Sequence, residues 1–227
     1  MNSFSFSFRD TQLHALGSGA LAWPAERMLC VSDLHLCKSE RVARRSGVAL
    51  PPYDTRDTLM RLADDLEQVK PQTVVCLGDS FDDLDAAQAM TEEDRLLVTR
   101  LQAGREWIWI EGNHDPGPID LGGTHLAEMT RGGLTFRHIA EPGQSGEVSG
   151  HYHPKATLPT RARMISRPAF LIDDQRIIMP AYGTYTGGLR SDAAVLSDLM
   201  GPEAQAIMTG PRPVQVPMPR RARRVGA

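Results

Sequence analysis

Phe4, Phe6 and Phe8 alternate with serines, the period of a strand with one buried face. Three apolar runs follow, at residues 28–31, 73–77 and 107–110. They end at Ser32-Asp33, Gly78-Asp79 and Gly112-Asn113, and their length and flanks predict buried strands. Between the first two, Leu59, Leu62, Ala63, Leu66 and Val69 recur at helical spacing. A helix is predicted over 55–70, with Asp54 as its cap and Pro71 as its stop. Thr91 with Asp94 resembles a capping box for a second helix that Gly104 would end. Residues 38–52 are basic, then rich in Gly and Pro, and read as a loop with at most a helical turn. The second half changes character: residues 134–138, 147–149, 169–172 and 176–179 read as strands, with Asp173-Asp174-Gln175 as a hairpin turn. Residues 207–208 and 214–216 read as late strands. The first half thus alternates strand and helix, and the second is mostly strand.

The chain has 227 residues, 41% hydrophobic and 23% charged, ordinary values for a globular protein able to bury its own core. A single domain is expected over 1–210, followed by a basic, Pro- and Arg-rich tail over 211–227. The formal net charge of −3 gives no global attraction for a polyanion, so a phosphate-bearing substrate would need a local site. Cys30, Cys37 and Cys76 are an odd, widely spaced set without a C-x-x-C pair, which fits a reducing cytoplasm. The N-terminus lacks the basic and apolar regions of a signal peptide, and no apolar run reaches the ~20 residues of a spanning helix, so no membrane partner is expected.

Four short blocks each follow a predicted strand: Asp33-Leu34-His35, Gly78-Asp79-Ser80-Phe81-Asp82, Gly112-Asn113-His114-Asp115 and Gly150-His151-Tyr152-His153. Strand ends in α/β sheets are where side chains project into a common crevice. The blocks offer carboxylates, an amide and imidazoles but no thiolate, a donor set for Mn, Fe, Zn or Mg rather than a structural cysteine-zinc site. In D-x-H and H-x-H on extended chain the outer side chains share one side, so each block can present a pair of ligands. The glycines at 78, 112 and 150 permit turns that a Cβ would hinder and are expected to let metal or substrate come close. So many ligands suit two ions sharing a carboxylate better than one. Each block alone has a plain explanation as a turn; four in order, each at a strand end, are hard to ascribe to chance.

The set resembles the calcineurin-like metallophosphoesterase superfamily, whose pattern is D-x-H, G-D-x-x-D, G-N-H-D/E, a separate His and G-H-x-H; the motifs span roughly residues 28–155. The resemblance implies an α/β fold, a four-layer α/β/β/α sandwich of two mixed sheets flanked by helices. Carried over, it implies that Asp33, His35 and His153 bind a first metal, that Asn113 and His151 bind a second, and that Asp79 bridges both. His114 would face the scissile phosphate and Asp115 would orient His114. The separate ligand is His138 or His125. His138 is preferred because the strand ahead of it would deliver it to the same edge, whereas His125 lies in a Gly-rich loop. His14 falls outside every block. Two cations so placed would share a water, lower its pKa and direct it at phosphorus.

Lys38-Ser39-Glu40-Arg41, Leu50-Pro51-Pro52-Tyr53-Asp54-Thr55, His151-Tyr152-His153-Pro154-Lys155 and Met179-Pro180-Ala181-Tyr182-Gly183 are similar to the bacterial DNA-ligase-associated metallophosphoesterases, extending the resemblance to about residue 190. That group often has His at the place of Asp82. It implies a manganese-dependent DNA endonuclease or phosphodiesterase in DNA repair, with zinc or iron as other metals and a DNA ligase and helicase as functional associates. Lys38, Arg41, Arg44 and Arg45 follow the first block and are candidates for contacts to flanking phosphates, against the plainer reading of a solvated charged face. The Arg220-Arg221-Ala222-Arg223-Arg224 cluster could add non-specific affinity. Trp107 and Trp109 read as core residues. A phosphomonoesterase or nucleotide hydrolase on the same centre, and a catalytically silent repair scaffold, are the competing readings.

Overall fold

The computed structural model describes residues 2–117, 120–160 and 163–220, with the side chains of residues 84 and 86 also outside the description. It opens with an antiparallel meander, β1 (Ser3–Phe8), β2 (Thr11–Leu16), β3 (Leu21–Trp23) and β4 (Met28–Ser32). β4 then begins a parallel run with β5 (Thr73–Leu77), β6 (Glu106–Ile110) and β7 (Thr124–Leu126). These seven strands form one sheet in chain order. The chain therefore starts with four antiparallel strands before any strand–helix alternation. The segments at 11–16 and 21–23 were not expected as strands.

The second sheet has eight strands. β8 (Glu128–Arg131), β9 (Leu134–Arg137), β10 (Glu147–Ser149), β13 (Arg176–Ile178), β12 (Met164–Ile172), β14 (Gln205–Met208) and β15 (Val214–Pro217) lie in that spatial order, and β11 (Lys155–Pro159) pairs with β12. β9, β10 and β13 run parallel and the other pairings are antiparallel. β15 places the start of the 211–227 segment on the sheet edge. Residues 221–227 lie outside the described residues, and Arg220 donates to the carbonyls of Ser197 and Met200.

Residues 38–46 form helix α1 (Lys38–Ser46), not a loop. Apart from Ser39 it buries nothing, so it shows no apolar stripe, and its residues carry helix propensity instead. The longer α2 (Asp54–Val69) follows, then the single turn α3 (Leu84–Gln88) and α4 (Glu92–Gln102). Asp54 does not cap its own helix, for which Tyr53 is the cap residue. Its carboxylate reaches back to α1 and accepts from Ser39 N at 3.2 Å and Ser39 Oγ at 2.5 Å. A cap supplied from fifteen residues away is invisible to local pattern. Thr91, by contrast, accepts from Asp94 N as its position implied.

Period-two side-chain alternation sorts the core into layers. Leu29 and Val31, Val74 and Cys76, and Trp107 and Trp109 face the helices. Met28 and Cys30, Val75 and Leu77, and Ile108 and Ile110 face the second sheet, where they meet Phe136, Val148, Phe170 and Ile177. Trp107 and Trp109 are thus buried core residues, packed under α2 and α4. The far face of the second sheet is covered by α5 (Ala194–Leu199) and β11. Two mixed sheets packed face to face between helices make the expected α/β architecture, though the outer helical layer is a single short helix. No described helix is long and apolar enough to cross a membrane. The three cysteines are free and buried; burial pushes the Cys37 thiol up to about 11 and raises the Cys30 and Cys76 thiols as well.

Candidate metal centre

All four blocks meet at the C-terminal ends of the parallel strands. β4, β5 and β6 end in register, Ser32 beside Leu77 beside Ile110, so the next residues of each project from one edge. β9 and β10 deliver His138, His151 and His153 from the second sheet. The two sheets are sewn together there: Tyr182 N donates to Ser32 O at 2.8 Å and Gly183 N to Asp33 O at 3.1 Å.

Around Asp79 the donor atoms fall into two groups, and His35, Asp82 and His114 form a third cluster beside them. In the first, His153 Nε2 lies 3.1 Å from Asp33 Oδ1 and 3.3 Å from His35 Nε2. In the second, His138 Nε2 lies 3.0 Å from Asn113 Oδ1, 3.3 Å from His151 Nδ1 and 3.4 Å from Asp79 Oδ1. Asp79 stands between them, its other oxygen 3.8 Å from His35 Nε2. At most one proton can lie between two facing ring nitrogens, whereas a cation accepts both lone pairs, so these residues fit a metal. His35, His138 and their neighbours Asp33 and Asp79 are almost fully buried. Asp33, His35, Asp79, His151 and His153 all adopt positive φ, between 43° and 69°, the local strain that functional sites retain.

A second layer fixes the rings. His138 Nδ1 lies 3.4 Å from Leu77 O, a carbonyl that calls for the proton on Nδ1 and leaves Nε2 free to bind. His35 Nδ1 lies 2.8 Å from Asp82 Oδ1, although the contact is not aligned with the ring N–H. Proximity and charge still make Asp82 the partner of that nitrogen. Burial opposes ionisation of Asp79, yet His138, the His114 N–H and His35 hold its carboxyl down to about 2. Burial likewise opposes charge on His138, but Asp79 and Asp33 raise it, while burial and His138 lower His151.

Asp115 does not orient His114. Its oxygens accept from the backbone N–H groups of Ser80 at 2.8 Å, Phe81 at 3.1 Å and Gly112 at 3.1 Å, bracing the loop after β5 against the loop after β6. Burial pushes its carboxyl up to about 7, with Asp79 adding to the shift. The partner of the His114 ring is the Asp82 carbonyl, 2.8 Å from Nδ1. His114 is 31% exposed and its Nε2 lies 3.9 Å from Asp79 Oδ2. His125 sits on β7 rather than in a loop, its ring stacked on Trp109 at 6.3 Å, and belongs to neither donor group. His14 lies on β2.

The basic residues after the first block are held by carboxylates. Lys38 and Arg41 reach the buried Asp82 at 3.1 and 2.6 Å. Arg44 meets Asp83 at 2.8 Å and Arg45 meets it at 3.2 Å. The patch expected at the mouth is largely neutralised by residues 82–85. Asp82, which the sequence marked only as a departure, links that patch to His35.

The glycines leave room for protein groups, not for metal or substrate. A Cβ at Gly112 would lie 2.1 Å from Asp79 N and 2.6 Å from Asp115 Oδ1; one at Gly150 would lie 1.9 Å from Ser32 Oγ. Gly112→Ala should therefore destabilise the protein by about 2–3 kcal/mol, the usual cost of overpacking, and lower its metal content. Gly117→Ala, whose Cβ would meet nothing within 4 Å, should stay within about 0.5 kcal/mol of the parent. Thermal melts and metal analysis check both; equal melting temperatures would refute the steric account.

The fold and these donor groups define a metal-dependent phosphoesterase. The family model for calcineurin-like phosphoesterases matches residues 26–172, and the chain belongs to that family. Among solved structures, the crystal structure of Pseudomonas putida nuclease MPE is similar at 27% identity and a TM-score of 0.72, covering 94% of this chain and 100% of that one. Nothing matches among curated proteins.

Proposed function

We propose that the chain hydrolyses phosphodiesters of DNA with two divalent metal ions. The observation that carries this reading is the pair of donor groups on either side of Asp79. Asp33, His35 and His153 would hold one ion, and Asn113, His138 and His151 the other, with Asp79 between them. Bound ions would supply positive charge to phosphoryl oxygens and lower the pKa of a coordinated water. The protein's own groups do the rest. Asp82 and Leu77 O set the rings of His35 and His138. His114 keeps a proton on Nδ1 against the Asp82 carbonyl, so Nε2 is the nitrogen that can take or give a proton at the leaving oxygen. The name of the Pseudomonas putida protein supports a nucleic-acid substrate. Manganese, the repair role and the association with DNA ligase and helicase rest on the motif resemblance.

The test is metal-stripped protein reconstituted separately with Mn, Zn, Fe and Mg. It is assayed on bis-p-nitrophenyl phosphate, p-nitrophenyl phosphate, and nicked and single-stranded DNA. Diester and DNA cleavage, highest with Mn, with two metal equivalents per chain, is the expected result. Faster turnover of the monoester would favour the phosphomonoesterase reading. Metal binding without hydrolysis of any substrate would leave a scaffold.

A further inference from the structure

We infer that a groove beside His153 binds the phosphate next to the scissile one, through Lys155 and Arg167. The inference rests on the phosphodiesterase reading and adds to it a site that distinguishes a polynucleotide from a simple diester. A cavity of about 430 Å³ is lined by His153, Lys155, Ser166, Arg167, Tyr185 and Arg61, among others. His153 belongs to the first donor group, so the cavity borders the metal centre at that residue. Its volume suits a unit the size of a nucleotide.

The charges single this groove out. The cations beside the first block are held by Asp82, Asp83 and Glu40. Lys155 and Arg167 are half-buried and have no carboxylate partner among the described residues; Arg167 only donates to Thr209 O, at 3.3 Å. Two half-desolvated cations without counter-ions, beside a centre that processes phosphate, form a site for a second phosphate. Ser166 and Thr186 line the same space.

The opposite wall is pre-formed. Thr184 N donates to Thr58 Oγ1 at 3.0 Å, and Thr184 Oγ1 donates to Asp57 at 2.6 Å. Thr186 Oγ1 donates to Gly183 O at 2.7 Å. Gly188 packs so closely that a Cβ would lie 2.1 Å from His153 O. This wall carries Tyr185, whose ring lies 5.7 Å from that of the exposed Tyr53, a surface on which a base can stack. Ala181, Tyr182 and Gly183, which also tie the second sheet to Ser32 and Asp33, line the groove together with Lys155.

Lys155→Gln, Arg167→Gln and the double variant test this in the metal-loaded protein, with melting temperature as the check on folding. The readout is the ratio of kcat/KM on a short oligodeoxynucleotide to kcat/KM on bis-p-nitrophenyl phosphate, which carries no neighbouring phosphate. The double variant should lower that ratio at least ~10-fold and reduce the salt dependence of oligonucleotide binding by about 0.7 for each phosphate no longer neutralised. Equal loss on both substrates, or an unchanged ratio and salt slope, would overturn the groove. Binding of a phosphorothioate-linked oligonucleotide, followed by anisotropy, gives the salt slope without turnover. Should the parent hydrolyse neither substrate with any metal, the phosphodiesterase reading fails, and the groove is then judged on that slope alone.

Discussion

Asp79→Asn should leave a folded protein with at most one metal equivalent per chain and a turnover lower by ~10³-fold or more. Losing a second-layer partner of a metal ligand already costs about 10–100-fold, and Asp79 serves both donor groups. Its Oδ1 faces His138 and its Oδ2 faces His35. Asparagine keeps the shape but brings a neutral oxygen and an NH₂ that cannot bind metal, so one side loses its donor and both lose the negative charge. The neighbours that hold the carboxyl down to about 2 show that this position favours an anion. Metal analysis alongside turnover of a small diester checks the result. A variant with two equivalents and parental turnover would remove Asp79 from the bridging position.

His114→Ala should behave in the opposite way toward metal. His114 stands outside the two donor groups that flank Asp79, although with His35 and Asp82 it forms a third cluster of metal-capable side chains; both equivalents should remain, while DNA cleavage falls by ~10²–10⁴-fold, the range for a lost acid–base group. The loss should be smaller on bis-p-nitrophenyl phosphate, because p-nitrophenolate leaves without being protonated whereas a sugar hydroxyl does not. That difference between substrates separates proton transfer from simple charge stabilisation, which would depress both equally. Full activity on DNA would show that His114 has no part in the reaction. The surroundings of the ring suit an acid–base group, since Nδ1 is committed to Asp82 O and Nε2 lies 3.9 Å from Asp79 Oδ2 on a partly exposed side chain.

The candidate donor residues were legible because D-x-H, G-D-x-x-D and G-N-H-D follow short apolar runs, which became the parallel strands β4, β5 and β6, and G-H-x-H follows the short strand β10. His138 was separable from His125 by the strand ahead of it, and His138 lies with Asp79 and His151 in a cluster that could hold a metal ion. What local pattern could not show was long-range pairing. The Asp54 carboxylate caps another helix, the Asp115 carboxylate braces two loops, and the side chain of Asp82 gathers Lys38, Arg41 and His35. In each case a polar side chain satisfies partners distant in the chain, and no periodicity encodes that. Strands such as β7 and β8 escaped because they are only three and four residues long, too short for an alternation to stand out as a pattern. Helix α1 escaped for a related reason: ion pairs rather than an apolar stripe anchor it.

The donors come from both halves of the sandwich. Asp33, His35, Asp79 and Asn113 follow strands of the seven-stranded sheet, and His138, His151 and His153 follow strands of the eight-stranded one. Cations seated among them would act as rivets through the seam, gripping one layer through carboxylates, an amide and one imidazole and the other through imidazoles alone. Separating the layers would then mean surrendering the ions. Occupancy would raise resistance to unfolding by about 2.7 kcal/mol at free metal one hundred times the dissociation constant, so the availability of metal to the cell would set the protein's lifetime as well as its activity.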